Sequence, residues 1–421
     1  MFEKIAIEFR GLARSERLFI LFALLCSFLI QADYATIRPV SNALFITHYG
    51  AQILPYAWFA AIPLNMLLVS WYNKYLPLWG CFKTFLCLSS AIVGFNLFCT
   101  LFIDQIAWLP FAFYVWKEVY IMLMFQQLWS VIHSTIPYAR AKYLYGIVFG
   151  IGACGALVGS YLPGFCAVKY GSSHLLLATL PIYLLLGICY SRILRYTHKD
   201  VGKIEDEPKR NTTNAFFHGI ALVRSSPVLL FILLIVILMQ ISSSLIDYQF
   251  NFFLEKHVLG QDLRTQYTAR TLAYVHGATL ILQFLGSFFF IHFLGLRRSH
   301  FFIPCILGLN NLAFLILPSF GLITFSYITV KSFDFSLFGV IKEIMYIPLK
   351  KDEKFRAKAF IDVFTYRTSK ALASLLIFAL QWLITSAHLG LTLTLLGFSL
   401  FCLWCFLVIK MLKSEPAAQG V

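Results

Sequence analysis

The chain has 421 residues, of which 60% are hydrophobic, 17% aromatic and only 13% charged. A soluble globular domain carries about 25% charged residues, so this composition excludes an ordinary water-soluble fold. The formal net charge of +15 invites a nucleic-acid partner, but the basic residues gather between apolar runs, where they report membrane orientation; no nucleic acid is needed to explain them.

The N-terminal stretch "MFEKIAIEFRGLARSER" leads into an apolar run without a cleavage-site pattern, so the first run is expected to be a retained helix. Runs of about 20 residues, each able to cross roughly 30 Å of hydrocarbon, then recur near 18–36, 53–71, 79–103, 107–135, 144–167 and 174–194. The stretch "SRILRYTHKDVGKIEDEPKRNTTNAFFHGIALVRSSP", rich in charge and turn formers, interrupts the series. Beyond it the runs resume near 227–250, 270–294, 299–319, 321–346, 360–385 and 388–411. The expectation is an all-α polytopic membrane protein, major-facilitator-like, with about twelve transmembrane helices in two six-helix halves. The halves are an N-terminal bundle at 1–196 and a C-terminal bundle at 227–421, joined by a cytoplasmic linker at 197–226.

Assigning both termini and the even-numbered connections to one side collects about 23 of the 34 basic residues there. The other side keeps Arg38, Lys169, Lys256 and Arg264. Both termini are therefore expected to be cytoplasmic. The halves also echo one another. The fourth run reads "FYVWKEVY" and the tenth "FGVIKEIM", so Phe-x-Val-x-Lys-Glu recurs at Phe113–Glu118 and Phe338–Glu343.

Charges inside the runs need a reason, because one near the bilayer centre costs at least about 2.5–3.5 kcal/mol. The candidates are Lys117, Glu118, Asp247, Lys331, Asp334, Lys342, Glu343, Asp362, Arg367 and Lys370. At about 100° per residue, Lys331, Asp334 and Lys342 share one helix face, whereas Glu343 points away from Lys342. One reading makes these groups structural ion pairs between helices. The other makes them a net-basic cavity, since Lys and Arg bind phosphate oxygens directly, with deep carboxylates serving coupling or gating.

Other features carry less. "GIGACG" matches a dinucleotide fingerprint by letter, but no strand precedes it; Gly146, Gly150, Gly155 and Gly159 instead supply small-xxx-small spacing for close helix packing. The ten cysteines lie within apolar runs and read as small hydrophobes, including the pair Cys402 and Cys405. No metal site and no cofactor is expected. Nor is there a nucleophile-with-base pattern or a Walker loop, so no enzyme is expected.

"SLFGVIKEIMYIPLKKDEKFRAKAFIDV" resembles the signature of the ATP/ADP translocases, the nucleotide transporter family of obligate intracellular bacteria and plastids. "FYVWKEVY" through "FGIGA" is similar to that family's fourth and fifth helices, and "YATIRPVSNALFIT" with "GAQILP" is similar to its N-terminal stretch. The resemblance implies a divergent, short member with about twelve helices that exchanges or imports nucleotides. It implies that Glu118 falls on an important glutamate, that Asp247 replaces a glutamate, and that Lys370 falls on the lysine of a Gly-Lys-Ser motif. A lysine expected after "ILP" is Trp58 here, and a lysine of the family becomes Asp334.

The function expected is a secondary transporter moving nucleotides by alternating access, by ATP/ADP exchange or by import, in a bacterial inner membrane. Lys342, Lys370, Lys331, Arg367 and Lys117 would contact substrate, and Glu118, Asp247, Glu343 and Asp334 would couple or gate. The partners are then the nucleotide and the lipid bilayer, with the oligomeric state left open. Alternatives are a proton-coupled importer of another phosphorylated anion such as NAD, and a non-transporting sensor or scaffold on a degenerate transporter fold.

Overall fold

The computed structural model describes residues 13–135, 138–196, 223–224, 226–286, 295–346, 361 and 365–414. Regular structure among these residues is helical. Without water, every backbone N–H and C=O must be satisfied internally, and an isolated apolar run achieves this only as a helix. Six helical stretches among the described residues are long and apolar enough to cross a membrane. The chain is a multi-pass membrane protein.

The described residues form two compact units. One draws on Met1–Gly50, Ala60–Asp206 and Val258–His276, the other on Ala51–Phe59, Glu207–His257 and Gly277–Val421.

In the first unit, α1 (Arg14–Tyr49) runs well beyond the expected 18–36. The reason is that Ile37, Val40, Ala43, Leu44, Phe45 and Ile46 extend the buried apolar face. Arg38, expected in a connection, is therefore a helical residue, and Pro39 is carried inside the same helix. The next helix, α2 (Leu54–Phe102), has 49 residues. At 1.5 Å per residue that is about 70 Å, more than twice the hydrocarbon thickness. It breaks at Gly80, where φ is 74° and ψ 166°, a conformation that a side chain disfavours. Two runs anticipated at 53–71 and 79–103 are thus joined by a one-residue break. Then come α3 (Leu109–Thr135), α4 (Tyr138–Tyr170) and α5 (Thr179–Arg195).

Helices α1 and α4 meet at backbone distance. A Cβ on Gly155 would overlap the Phe28 carbonyl, and one on Gly159 the Ala32 carbonyl. The Ser27 hydroxyl donates to Val148 O at 2.9 Å, and the Thr36 hydroxyl lies 3.0 Å from Gly159 O. This is the small-residue packing anticipated from the glycine spacing, with hydroxyls as adhesive. Deeper in the unit, Gln127 spends its whole amide. Its Nε2 donates to Cys81 O and to the Tyr190 hydroxyl at 2.7 and 2.6 Å, and its Oε1 accepts from Tyr72 at 2.7 Å.

The second unit is built on α6 (Pro227–His257). Helix α7 (Gln261–Ile281) begins in the first unit and passes into the second after His276, ending in a π turn at Leu282–Gly286. Helix α8 (Gly295–Ile316) is followed by α9 (Phe320–Phe333), whose first turn is capped by Ser319 Oγ accepting from Leu322 N at 3.3 Å. A π segment, Asp334–Phe338, separates α9 from α10 (Gly339–Met345). The chain closes with α11 (Tyr366–Leu383) and α12 (Ser386–Ser414). Asn311 of α8 donates to Thr394 O of α12 at 3.2 Å, across an interface where a Cβ on Gly397 would meet the Asn311 amide and make it shift.

Candidate functional site

In the second unit, Gln240, Ser243 and Asp247 recur at spacings of three and four on α6, and so occupy one helix face. That face receives the charges of α9 and its π segment. Lys331 Nζ lies 3.1 Å from Asp247 Oδ2 and donates to Ser243 Oγ at 3.0 Å. The other Asp247 oxygen accepts from Asn251 Nδ2 at 3.0 Å. Asp334 accepts from Gln240 Nε2 through both carboxyl oxygens, at 2.9 and 3.2 Å. Lys331, Asp334 and Gln240 are all buried. An acid, a hydroxyl and the Tyr327 ring at 5.7 Å thus surround the buried lysine head, the kind of partners that a charged group inside a membrane needs.

Lys342 is half-buried and Glu343 exposed on α10, beyond the π segment. The 100° step that put Lys342 on the face of Lys331 does not hold across Asp334–Phe338, because wider π turns advance less per residue. Lys370, on α11, stands with its Nζ 5.3 Å from the centre of the Trp58 ring, a cation–π arrangement. Trp58 holds the position where the resemblance expects a lysine, so an aromatic face here supports a cation instead of adding one. Arg367 belongs to α11, but its side chain lies outside the described residues, as does Asp362 altogether.

In the first unit, Lys117 is 2% exposed and Glu118 20%, and their charges meet at 3.3 Å. The ammonium also sits 3.9 Å from the centre of the Tyr114 ring. This pair is local to α3, unlike the interhelical pair of the second unit.

Three groups escaped the sequence reading. Gln240 and Ser243 had a signal, a polar stripe at helical spacing in "QISSSLIDYQF". Asp33 had a plainer one, a lone acid inside the first apolar run. Its side chain is fully enclosed and accepts from the Tyr120 hydroxyl at 2.9 Å.

Part of the chain is also similar to known proteins. Residues 260–415 match the TLC ATP/ADP transporter family. The match contains Lys331, Asp334, Lys342, Glu343 and Lys370, together with the stretch that carries the resemblance in the sequence. Asp247 and the Lys117–Glu118 pair lie outside the part that matches the TLC family. No curated protein matches the chain. Among solved structures, the nucleoside transporter NupG aligns with a TM-score of 0.70 at 12% identity, over 93% of this chain and 99% of its own. An auto-inhibited POT family peptide transporter aligns at 0.67 and 12% identity, over 96% and 98%. The POT family transporter PepTSo aligns at 0.64 and 10% identity, over 94% and 99%. At these identities the likeness concerns the fold, which is all-α and major-facilitator-like.

Proposed function

We propose that the protein is a secondary transporter of nucleotides that works by alternating access, and that it is not an enzyme. The observation that carries this reading is the TLC ATP/ADP transporter match, which contains the basic residues of α9, α10 and α11. A transporter fold along nearly the whole chain supports it. Within this reading the chain crosses a bacterial inner membrane about twelve times, with both termini cytoplasmic, as its basic loops favour. Lys331, Lys342 and Lys370 meet the phosphates, with Arg367 beside Lys370 in sequence; Lys117 serves the first unit. Asp247, Asp334, Glu118 and Glu343 hold or release those cations as the units move.

The chemistry follows from the pairs. A lysine bound to a carboxylate presents little net charge. A phosphate entering the cavity offers more oxygens and more charge than the carboxylate does, so it competes for the ammonium. Substrate binding thereby breaks an interhelical tie, which is how differential affinity for two states moves an equilibrium.

Labelled ATP or ADP should enter cells or liposomes containing the full chain, and uptake should fall at least about tenfold in Lys370→Ala. Preloading with unlabelled nucleotide separates exchange, which needs it, from import, which does not. A folded protein that neither takes up any nucleotide nor gains thermal stability from one overturns the substrate assignment, because a ligand of the native state must stabilise it.

A further inference from the structure

Asp33 lies in the middle of α1 with 1% of its surface exposed. Its Oδ2 accepts from the Tyr120 hydroxyl of α3 at 2.9 Å, while Oδ1 is buried without any hydrogen-bond donor. The groups facing the carboxyl are Tyr120 from α3 and Tyr183 and Thr179 from α5. Tyr34, its neighbour on α1, faces Tyr120. On the flanking turns of α1, helix α4 approaches at backbone distance through Gly155 and Gly159. No cation accompanies it among the described residues. Thr179 also accepts from Asn96 Nδ2 of α2 at 3.0 Å, and Asn96 Oδ1 is again buried without a donor.

The contrast with Asp247 is chemical. Asp247 has an ammonium on one oxygen and an amide on the other. Asp33 is met by hydroxyls alone, Tyr120 on Oδ2 and Thr179 nearby, with no hydrogen bond made to Oδ1. An ionised carboxylate is an acceptor only, and one left with an unsatisfied oxygen in a dry interior is poorly stabilised. A carboxylic acid suits the same surroundings better, because it carries no charge to be stripped of water. Water reaching α1 in another state of the transport cycle would stabilise the anion and release the proton.

We infer that Asp33 is a proton-binding carboxyl that loads and unloads during turnover, making transport by this protein proton-coupled. This rests on the transporter reading and narrows it, since pure exchange needs no such group. The proton is the ligand; no covalent step is involved.

The test uses the purified full chain in liposomes with labelled ADP. For the native chain, an inside-alkaline pH gradient should raise ADP accumulation at least about threefold. Asp33→Asn, which keeps the shape of the acid but cannot titrate, should lose that stimulation while ADP–ADP exchange stays within about twofold. Equal stimulation in both proteins, or none in the native chain, overturns the inference. If ADP is neither exchanged nor accumulated, the nucleotide reading has failed and the proton site is decided separately, by infrared difference spectroscopy. A carboxylic-acid carbonyl band that titrates in the native chain and is absent from Asp33→Asn supports it; no such band overturns it. Should Asp33→Asn fail to fold, Tyr120→Phe, which removes the donor on Oδ2, must move the pH at which that band titrates. An unmoved band counts against the site.

Discussion

In the first unit the Phe-x-Val-x-Lys-Glu sequence forms its own ion pair. Lys117 and Glu118 meet at 3.3 Å on one helix, over the Tyr114 ring. In the second unit the same letters leave Lys342 half-buried and Glu343 exposed, and the buried pair is Lys331 with Asp247, from two different helices. A π segment runs into the first of the repeated letters, Phe338, in the second unit, whereas α3 runs unbroken through them in the first. A repeated motif therefore marks equivalent places in the sequence without assigning equivalent work. A pair within one helix leaves the packing of its neighbours alone. A pair between helices is a tie that substrate can undo.

The largest effect should come from cutting that tie. Lys331→Ala removes the ammonium that lies 3.1 Å from Asp247, and should cost about 3–5 kcal/mol in equilibrium unfolding in mixed micelles. Adding Asp247→Leu should restore most of it, because both charges then leave together. A single-variant loss below about 1 kcal/mol, or no recovery in the double variant, would mean that the pair holds nothing together.

The first unit is held differently, by backbone contact, so its weak point is a glycine. Gly159→Leu drives a side chain into the Ala32 carbonyl and should cost about 2–3 kcal/mol. Gly152→Ala meets the Ser27 hydroxyl, which can turn aside, and should cost less. Equal losses at both positions would contradict close approach of α1 and α4. Next comes Glu118→Gln, for which we expect about 1–2 kcal/mol in the same measurement. Glu118 is only partly buried, and Lys117 retains the Tyr114 ring. If Glu118→Gln costs as much as Lys331→Ala, the contrast between the local and interhelical pairs fails.

How much of this was legible in the sequence depends on what each feature requires. A helical chain that crosses a membrane several times was, because length and apolarity decide that, and the close packing at Gly155 and Gly159 was, because their spacing is local. The ends of α1 were not. Arg38 and Pro39 look like punctuation until their buried apolar neighbours are seen to continue the face. The π segment was hidden for a deeper reason, since a constant 100° step describes α turns alone, and nothing in "DFSLF" announces a wider turn. Only the constant step puts Lys342 on the Lys331 face. Asp33 was readable by the same rule that selected Asp247, an acid inside an apolar run. What the sequence could not supply was its surroundings, hydroxyls from two other helices and no hydrogen bond to Oδ1.

Lys342 supplies the smallest change in stability and the sharpest test of function. It is half-buried on a seven-residue helix, so Lys342→Ala should alter stability by no more than about 0.5–1 kcal/mol. If Lys342 meets substrate phosphate, uptake of labelled ADP should nevertheless fall at least about tenfold, since a charge-assisted bond to phosphate is worth roughly 1.5–3 kcal/mol. Lys342→Arg should keep more of the activity than Ala, because charge matters more than shape at a point contact. Stability and transport would then separate at Lys342 and fall together at Lys331. Unchanged uptake in Lys342→Ala would instead make the repeated Lys-Glu of the second unit a remnant of the repeat, leaving Lys331 and Lys370 to bind the phosphates.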